Sequence, residues 1–191
     1  MAWHVKWFDE EYDLGTYQKE LADWLEDNDF KVRLNPKGFL PHVTLSRRPF
    51  KYHEWREAFQ VLPVIIKDFQ LYESVGKLRY KPLWSYHLPE PFVINKTETE
   101  YQLTLRGENL LQLFHHCLTA LAFKHPEILR RYREEVSINE LSDVVSNINT
   151  IIEKARKKIS LPYSMLESVS EPANNGDGVL TWDVILPISR T

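Results

Sequence analysis

Phe39-Leu40-Pro41-His42-Val43-Thr44-Leu45-Ser46-Arg47 decides how the first half of the chain folds. In an extended strand, successive side chains point to opposite faces. His42, Thr44 and Ser46 therefore share one face, and Val43 and Leu45 share the other. The polar face carries an imidazole, the side chain that exchanges protons near neutral pH. Two residues on is a hydroxyl that can hydrogen-bond a phosphate oxygen. Arg47 and Arg48 adjoin the triplet, and Lys37 and Lys51 flank it. Residues 31 to 56 hold seven Lys or Arg and one acid, Glu54, in a chain of net charge −3. A local excess of this kind suits a phosphate backbone. A polar-faced strand with basic neighbours also occurs as plain solvated surface, so the triplet alone does not settle its role.

Outward from this strand the pattern is that of a small α+β lobe. Residues 2–8 read as a short strand. Leu14, Tyr17, Leu21, Trp24 and Leu25 fall on one face of an amphipathic helix. Phe30 to Leu34 alternates as a strand should, and Asn35-Pro36-Lys37-Gly38 is a turn. A helix is expected at 53–60. Val64–Glu73 and Lys77–Leu83 read as strands joined by a tight turn at Ser74-Val75-Gly76. Pro82, Pro89 and Pro91 then punctuate the chain, and a domain boundary is expected near residue 90.

Beyond it, Glu100–Arg106 reads as a strand, and Gly107 leads into a helix from about Glu108. Two further helical stretches are expected, at 126–135 and 138–158. Ser137 with Glu140 three residues later has the form of a capping box for the second. Asn174-Asn175-Gly176-Asp177-Gly178 separates the arms of a terminal hairpin, Tyr163–Ser170 and Val179–Ile188. The expected fold class is α+β: two small domains, residues 1–90 and 91–191, with antiparallel sheets and helices packed on one face.

Composition bounds the function classes. Hydrophobic residues make up 43% and charged residues 27% of the 191, a globular balance. The net charge of −3 gives no general attraction to nucleic acid, so any such contact has to be local. A single cysteine, Cys117, excludes an intramolecular disulfide and fits a cytoplasmic location. No apolar run reaches the 18 or so residues of a membrane span, and no membrane partner is expected. His115-His116-Cys117 does not form a metal site, because neighbours on a helix face about 100° apart.

The order of elements around Pro41-His42-Val43-Thr44-Leu45-Ser46-Arg47 resembles the two-histidine phosphoesterase family, the 2′-5′ RNA ligase/cyclic phosphodiesterase class. Phe69-Gln70-Leu71-Tyr72-Glu73-Ser74 and Leu78-Arg79-Tyr80-Lys81-Pro82-Leu83 look like its later strands. The resemblance implies RNA ends as substrate, with His42 and Thr44 catalytic; the polar face and basic flank of the triplet make Ser46, Arg47, Arg48, Lys37 and Lys51 the candidate phosphate-binding residues. Family members carry two His-x-Thr triplets, one per lobe, acting as acid and base. This chain carries one, so the match is to a single lobe. Pairing with a second copy, as a homodimer, restores the two-fold arrangement.

Thr97-Glu98-Thr99-Glu100-Tyr101-Gln102-Leu103-Thr104-Leu105-Arg106-Gly107, the helix after it and Trp182–Ile188 resemble archease, an activator of an RNA ligase. The resemblance implies a divalent metal site. Its aspartate falls on Glu100, its histidine on Thr97 and its C-terminal acid on Pro187, so Glu100 is the remaining candidate ligand. No other cofactor is expected. Two functions stay open: an RNA phosphodiesterase or ligase-type enzyme, and a non-catalytic accessory factor of an RNA ligase that grips RNA with its first domain. A protein-interaction module with both sites extinct is a third.

Overall fold

The structure is a computed structural model that describes residues 2–4, 14–32, 42–44, 47, 51–59, 61–77, 79–131, 136–168, 170–174 and 176–189. The fold class is α+β with antiparallel sheets. The chain divides into two compact units, Met1–Phe59 and Gln60–Thr191. The proline-rich stretch near residue 90, where the sequence suggests a boundary, lies inside the second unit and joins two of its strands.

The first unit holds β1 (Ala2–His4), α1 (Leu14–Asp27), β2 (His42–Thr44) and α2 (Tyr52–Ala58). β1 and β2 pair antiparallel. The helix forms where its spacing predicts, but the expected apolar stripe is not buried, with Leu14 and Leu25 only half-buried. Ala22 on this helix is buried, while Tyr17, Leu21 and Trp24 are exposed. Asn28 Nδ2 donates to Trp24 O at 2.8 Å, and Asp29 takes φ 63°, which turns the chain out of the helix. Phe30 to Val32 form no strand. The rest of that expected strand, residues 33–34, lies outside the described residues.

In the second unit β3 (Asp68–Ser74) and β4 (Tyr80–His87) make a two-stranded hairpin. Gly76 and Lys77 close its turn with φ of 83° and 50°. The register places Phe69 opposite Tyr86 and Leu71 opposite Trp84 on one face, and Asp68 opposite His87 and Gln70 opposite Ser85 on the other. Over these four pairs one face is apolar and the other polar. Trp84 and Tyr86 stack with rings 7° from parallel and centroids 5.9 Å apart.

A five-stranded sheet forms the body of this unit, built from β5 (Phe92–Lys96), β6 (Glu100–Gly107), β9 (Leu180–Pro187) and the two-residue strands β7 (Glu167–Ser168) and β8 (Ala173–Asn174). The order is β5-β6-β9-β7, and β8 also pairs with β9. Alternation decides what is buried. Leu103 and Leu105 of β6 and Trp182, Val184 and Leu186 of β9 are buried, whereas Gln102, Arg106 and Asp183 are exposed. The buried face is covered by α3 (Leu110–Lys124), a 3-10 helix at Pro126–Arg131 and α4 (Leu141–Arg156).

Asn109 rather than Glu108 starts α3: its side chain accepts from Gln112 N at 2.9 Å. Gly107 admits the helix close to the strand, since a Cβ there would stand 3.0 Å from Gln112 Cβ and 3.1 Å from Leu113 N. α4 starts at Leu141, later than expected. Its capping box is Glu140 with Asp143, whose Oδ2 accepts from the N–H groups of Asn139 and Glu140 at 2.8 and 3.1 Å. Ser137 instead accepts from Asn139 Nδ2.

Asn149 of α4 brackets Leu166, accepting from its N–H at 2.6 Å and donating to its carbonyl at 3.2 Å. This buckle holds the segment that leads into β7. Asn149→Ala strands both backbone groups, and a loss of about 1–3 kcal/mol is expected in urea unfolding. A change below about 0.5 kcal/mol would show that water replaces the amide without cost.

Candidate functional site

The site foreseen around the His-Val-Thr triplet rests on β2. A strand of three residues is enough to set its geometry, because the residues before and after Val43 share a face. The side chains of His42 and Thr44 are both exposed. The β1–β2 register pairs Ala2 with Thr44, Trp3 with Val43 and His4 with His42. The position opposite His42 on the neighbouring strand is therefore also a histidine.

Of the cations expected around the triplet, Arg47 is exposed. Lys51 forms an ion pair with Glu54 across the first turn of α2, Nζ to Oε1 2.8 Å. Both ends are well exposed, so this contact adds little stability. It also matches the one acid of the basic run with one of its lysines. Ser46, Arg48 and Lys37 lie outside the described residues.

Glu100, the candidate metal ligand of the second unit, stands at the start of β6 and accepts from Gln102 Nε2 at 2.7 Å. Its register partner on β9 is Pro187, whose side chain offers no ligand atom. Thr97, where the archease resemblance puts a histidine, is occupied with the turn. Its hydroxyl donates to Glu100 O and accepts from the N–H groups of Thr99 and Glu100. Asp183 accepts from Thr104 Oγ1 at 2.6 Å, four residue pairs along the ladder from Glu100. Among the described residues no three His, Cys, Asp or Glu side chains gather to hold a metal ion.

The His115-His116-Cys117 run serves the core. Cys117 is fully buried, and burial pushes its thiol up to about 12. His116 turns back toward β6, where its Nδ1–H donates to Arg106 O. Burial lowers its pKa, with the carbonyl acting in the opposite sense. With its pKa at about 12, the buried Cys117 thiol is no nucleophile at neutral pH.

No protein-family model, curated protein or solved structure matches the chain. Its function is therefore argued from the residues themselves. Neither His4 nor its pairing with His42 stood out in the sequence. His4-Val5-Lys6 lacks the hydroxyl of the triplet, and nothing in a single sequence records which residues of two distant strands face each other.

Proposed function

We propose that the chain processes RNA ends as a phosphodiesterase acting on 2′,3′-cyclic phosphates or 2′-5′ linkages. His42 is the proton-transfer group and Thr44 the phosphate-binding hydroxyl. The observation that carries this is the placement of exposed His42 and Thr44 on β2, with His4 at the register position opposite His42. Opening a cyclic phosphate by water needs one group to take a proton as the water oxygen bonds to phosphorus. It needs another to give a proton to the ribose oxygen whose bond to phosphorus breaks. His42 supplies one of these groups, and His4, at the register position opposite it, is the candidate in the same chain for the other. The basic run between residues 31 and 56 supplies attraction for the phosphate backbone.

The alternative is a non-catalytic, archease-like accessory factor of an RNA ligase. What favours it is the second unit, where β6, Gly107 and α3 follow one another in the order that the resemblance implies.

The test is incubation of the full chain with a short RNA ending in a 2′,3′-cyclic phosphate, alongside a binding titration at rising salt. Expected are conversion to a terminal monophosphate and affinity that falls steadily with salt. Intact RNA together with faster turnover of an added RNA ligase supports the accessory factor. Intact RNA with salt-independent binding overturns both.

A further inference from the structure

We infer that the chain self-associates through the outer edge of β5, adding the same strand of a second copy antiparallel to its own. β5 is the end strand of the five-stranded sheet and pairs only with β6 among the described residues. Its hydrogen-bonding parity follows from its two ends: Arg106 N donates to Pro91 O, and Thr97 N donates to Glu100 O, both at 2.9 Å. With the register from Phe92↔Leu105 to Lys96↔Tyr101, Val93 and Asn95 turn their N–H and C=O groups toward β6. Phe92, Ile94 and Lys96 turn theirs outward.

The two edges of the sheet are built differently. Among the described residues, the far side of β9 carries only the two-residue strands β7 and β8, with Glu171 and Pro172 between them. Short strands and proline blunt an edge against pairing. β5 has five residues, no proline and no register shift. Its one charge, Lys96, sits with its ammonium 5.5 Å from the centre of the Tyr101 ring. Apolar surface flanks it on both sides. Val93 is exposed on the open face, and on the helix side Phe123, 49% exposed, lies against Phe92 with ring centroids 6.0 Å apart.

The side chains of the strand suit a second copy as the occupant. A two-fold axis at Ile94 pairs Ile94 with the partner's Ile94 and Phe92 with the partner's Lys96. These are the residues whose backbone groups point outward, so every outward N–H of the strand meets an outward C=O of the partner. A shift of one residue sets outward groups against inward ones and loses the ladder. The same pairing brings an ammonium beside Phe92, a favourable contact for an aromatic ring, and sets Val93 against the partner's Asn95. The interface is isologous and closes as a dimer, leaving no further free edge of this kind.

Sedimentation of the full chain over a concentration series, up to about 1 mM, is expected to show a monomer–dimer equilibrium. Ile94→Pro removes the central outward donor and leaves the bonds to β6 in place, so this variant is expected to sediment as a monomer with unchanged circular dichroism. Should it fail to fold, cross-linking decides. Residues 93 and 95 of the two copies form a non-hydrogen-bonded pair, with Cα atoms about 4.5 Å apart, within disulfide reach. A mixture of Val93→Cys and Asn95→Cys chains is expected to cross-link faster than either variant alone, with the buried Cys117 taking no part. A monomer at every concentration, a dimer unaffected by Ile94→Pro in a folded protein, or equal cross-linking in mixed and unmixed samples overturns the proposal.

Discussion

Trp182→Ala is expected to cost about 3–5 kcal/mol, a large share of the stability of a small unit, which is typically about 5–15 kcal/mol. Trp182 is 0% exposed and sits in β9 opposite Leu105 of β6. Truncation removes the largest fully buried side chain of the core. It also removes the hydrogen bond that Trp182 Nε1 donates to Ser170 O at 3.1 Å. The cavity cannot collapse easily, because β9 is pinned between β6 on one side and β7 and β8 on the other. Urea unfolding followed by far-ultraviolet circular dichroism measures the loss without relying on the tryptophan signal. Trp84→Ala is the control: this side chain is 55% exposed on the hairpin, and its removal is expected to change stability by about 0.5 kcal/mol or less. Equal losses for the two would mean that burial in the sheet core does not set the stability of the second unit.

The contrast between these tryptophans also shows which parts of the fold were legible beforehand. β6 and β9 alternate strictly because one face meets the helices and the other is open, so period-two patterning locates both. α3 and α4 repeat at helical spacing for the same reason. β5 escaped notice. Phe92-Val93-Ile94 is a continuous apolar run of strand length without alternation, set between Pro91 and a turn, and such a run has no periodicity to distinguish it from a linker. The start of α4 was misplaced because Ser137–Glu140 and Glu140–Asp143 both have capping spacing. The second wins by bringing two backbone donors to one carboxylate.

At the candidate site the sequence located what is local and missed what is not. That His42 and Thr44 share a face follows from two residues of spacing. That Lys51 is matched with Glu54 follows from helical i,i+3 geometry once α2 is known. The pairing of His4 with His42 depends on register between strands almost forty residues apart, which only the assembled sheet defines. Glu100 and Pro187 illustrate the reverse. Far apart in sequence, they stand opposite each other across β6 and β9, so Pro187 offers Glu100 no second carboxylate.

The second large expected effect concerns His42. If His42 moves a proton at the reacting phosphate, His42→Ala lowers the rate of cyclic phosphate opening by about 10²–10⁴-fold. RNA affinity should change little, because attraction to the backbone comes from the basic run. Thr44→Ala removes one hydrogen bond to phosphate and is expected to have the smaller effect, on binding and rate together. His4→Ala then separates two ways of completing an acid–base pair. When the partner of His42 is His4 of the same chain, His4→Ala is as damaging as His42→Ala. Activity in mixtures of His42→Ala and wild-type chains then follows the wild-type fraction. When the site is instead shared between copies, His4→Ala is mild, and mixed dimers lose activity although half their His42 side chains remain. A His42→Ala chain that turns over RNA at the wild-type rate would remove the triplet from the chemistry and leave the accessory role as the better account of this protein.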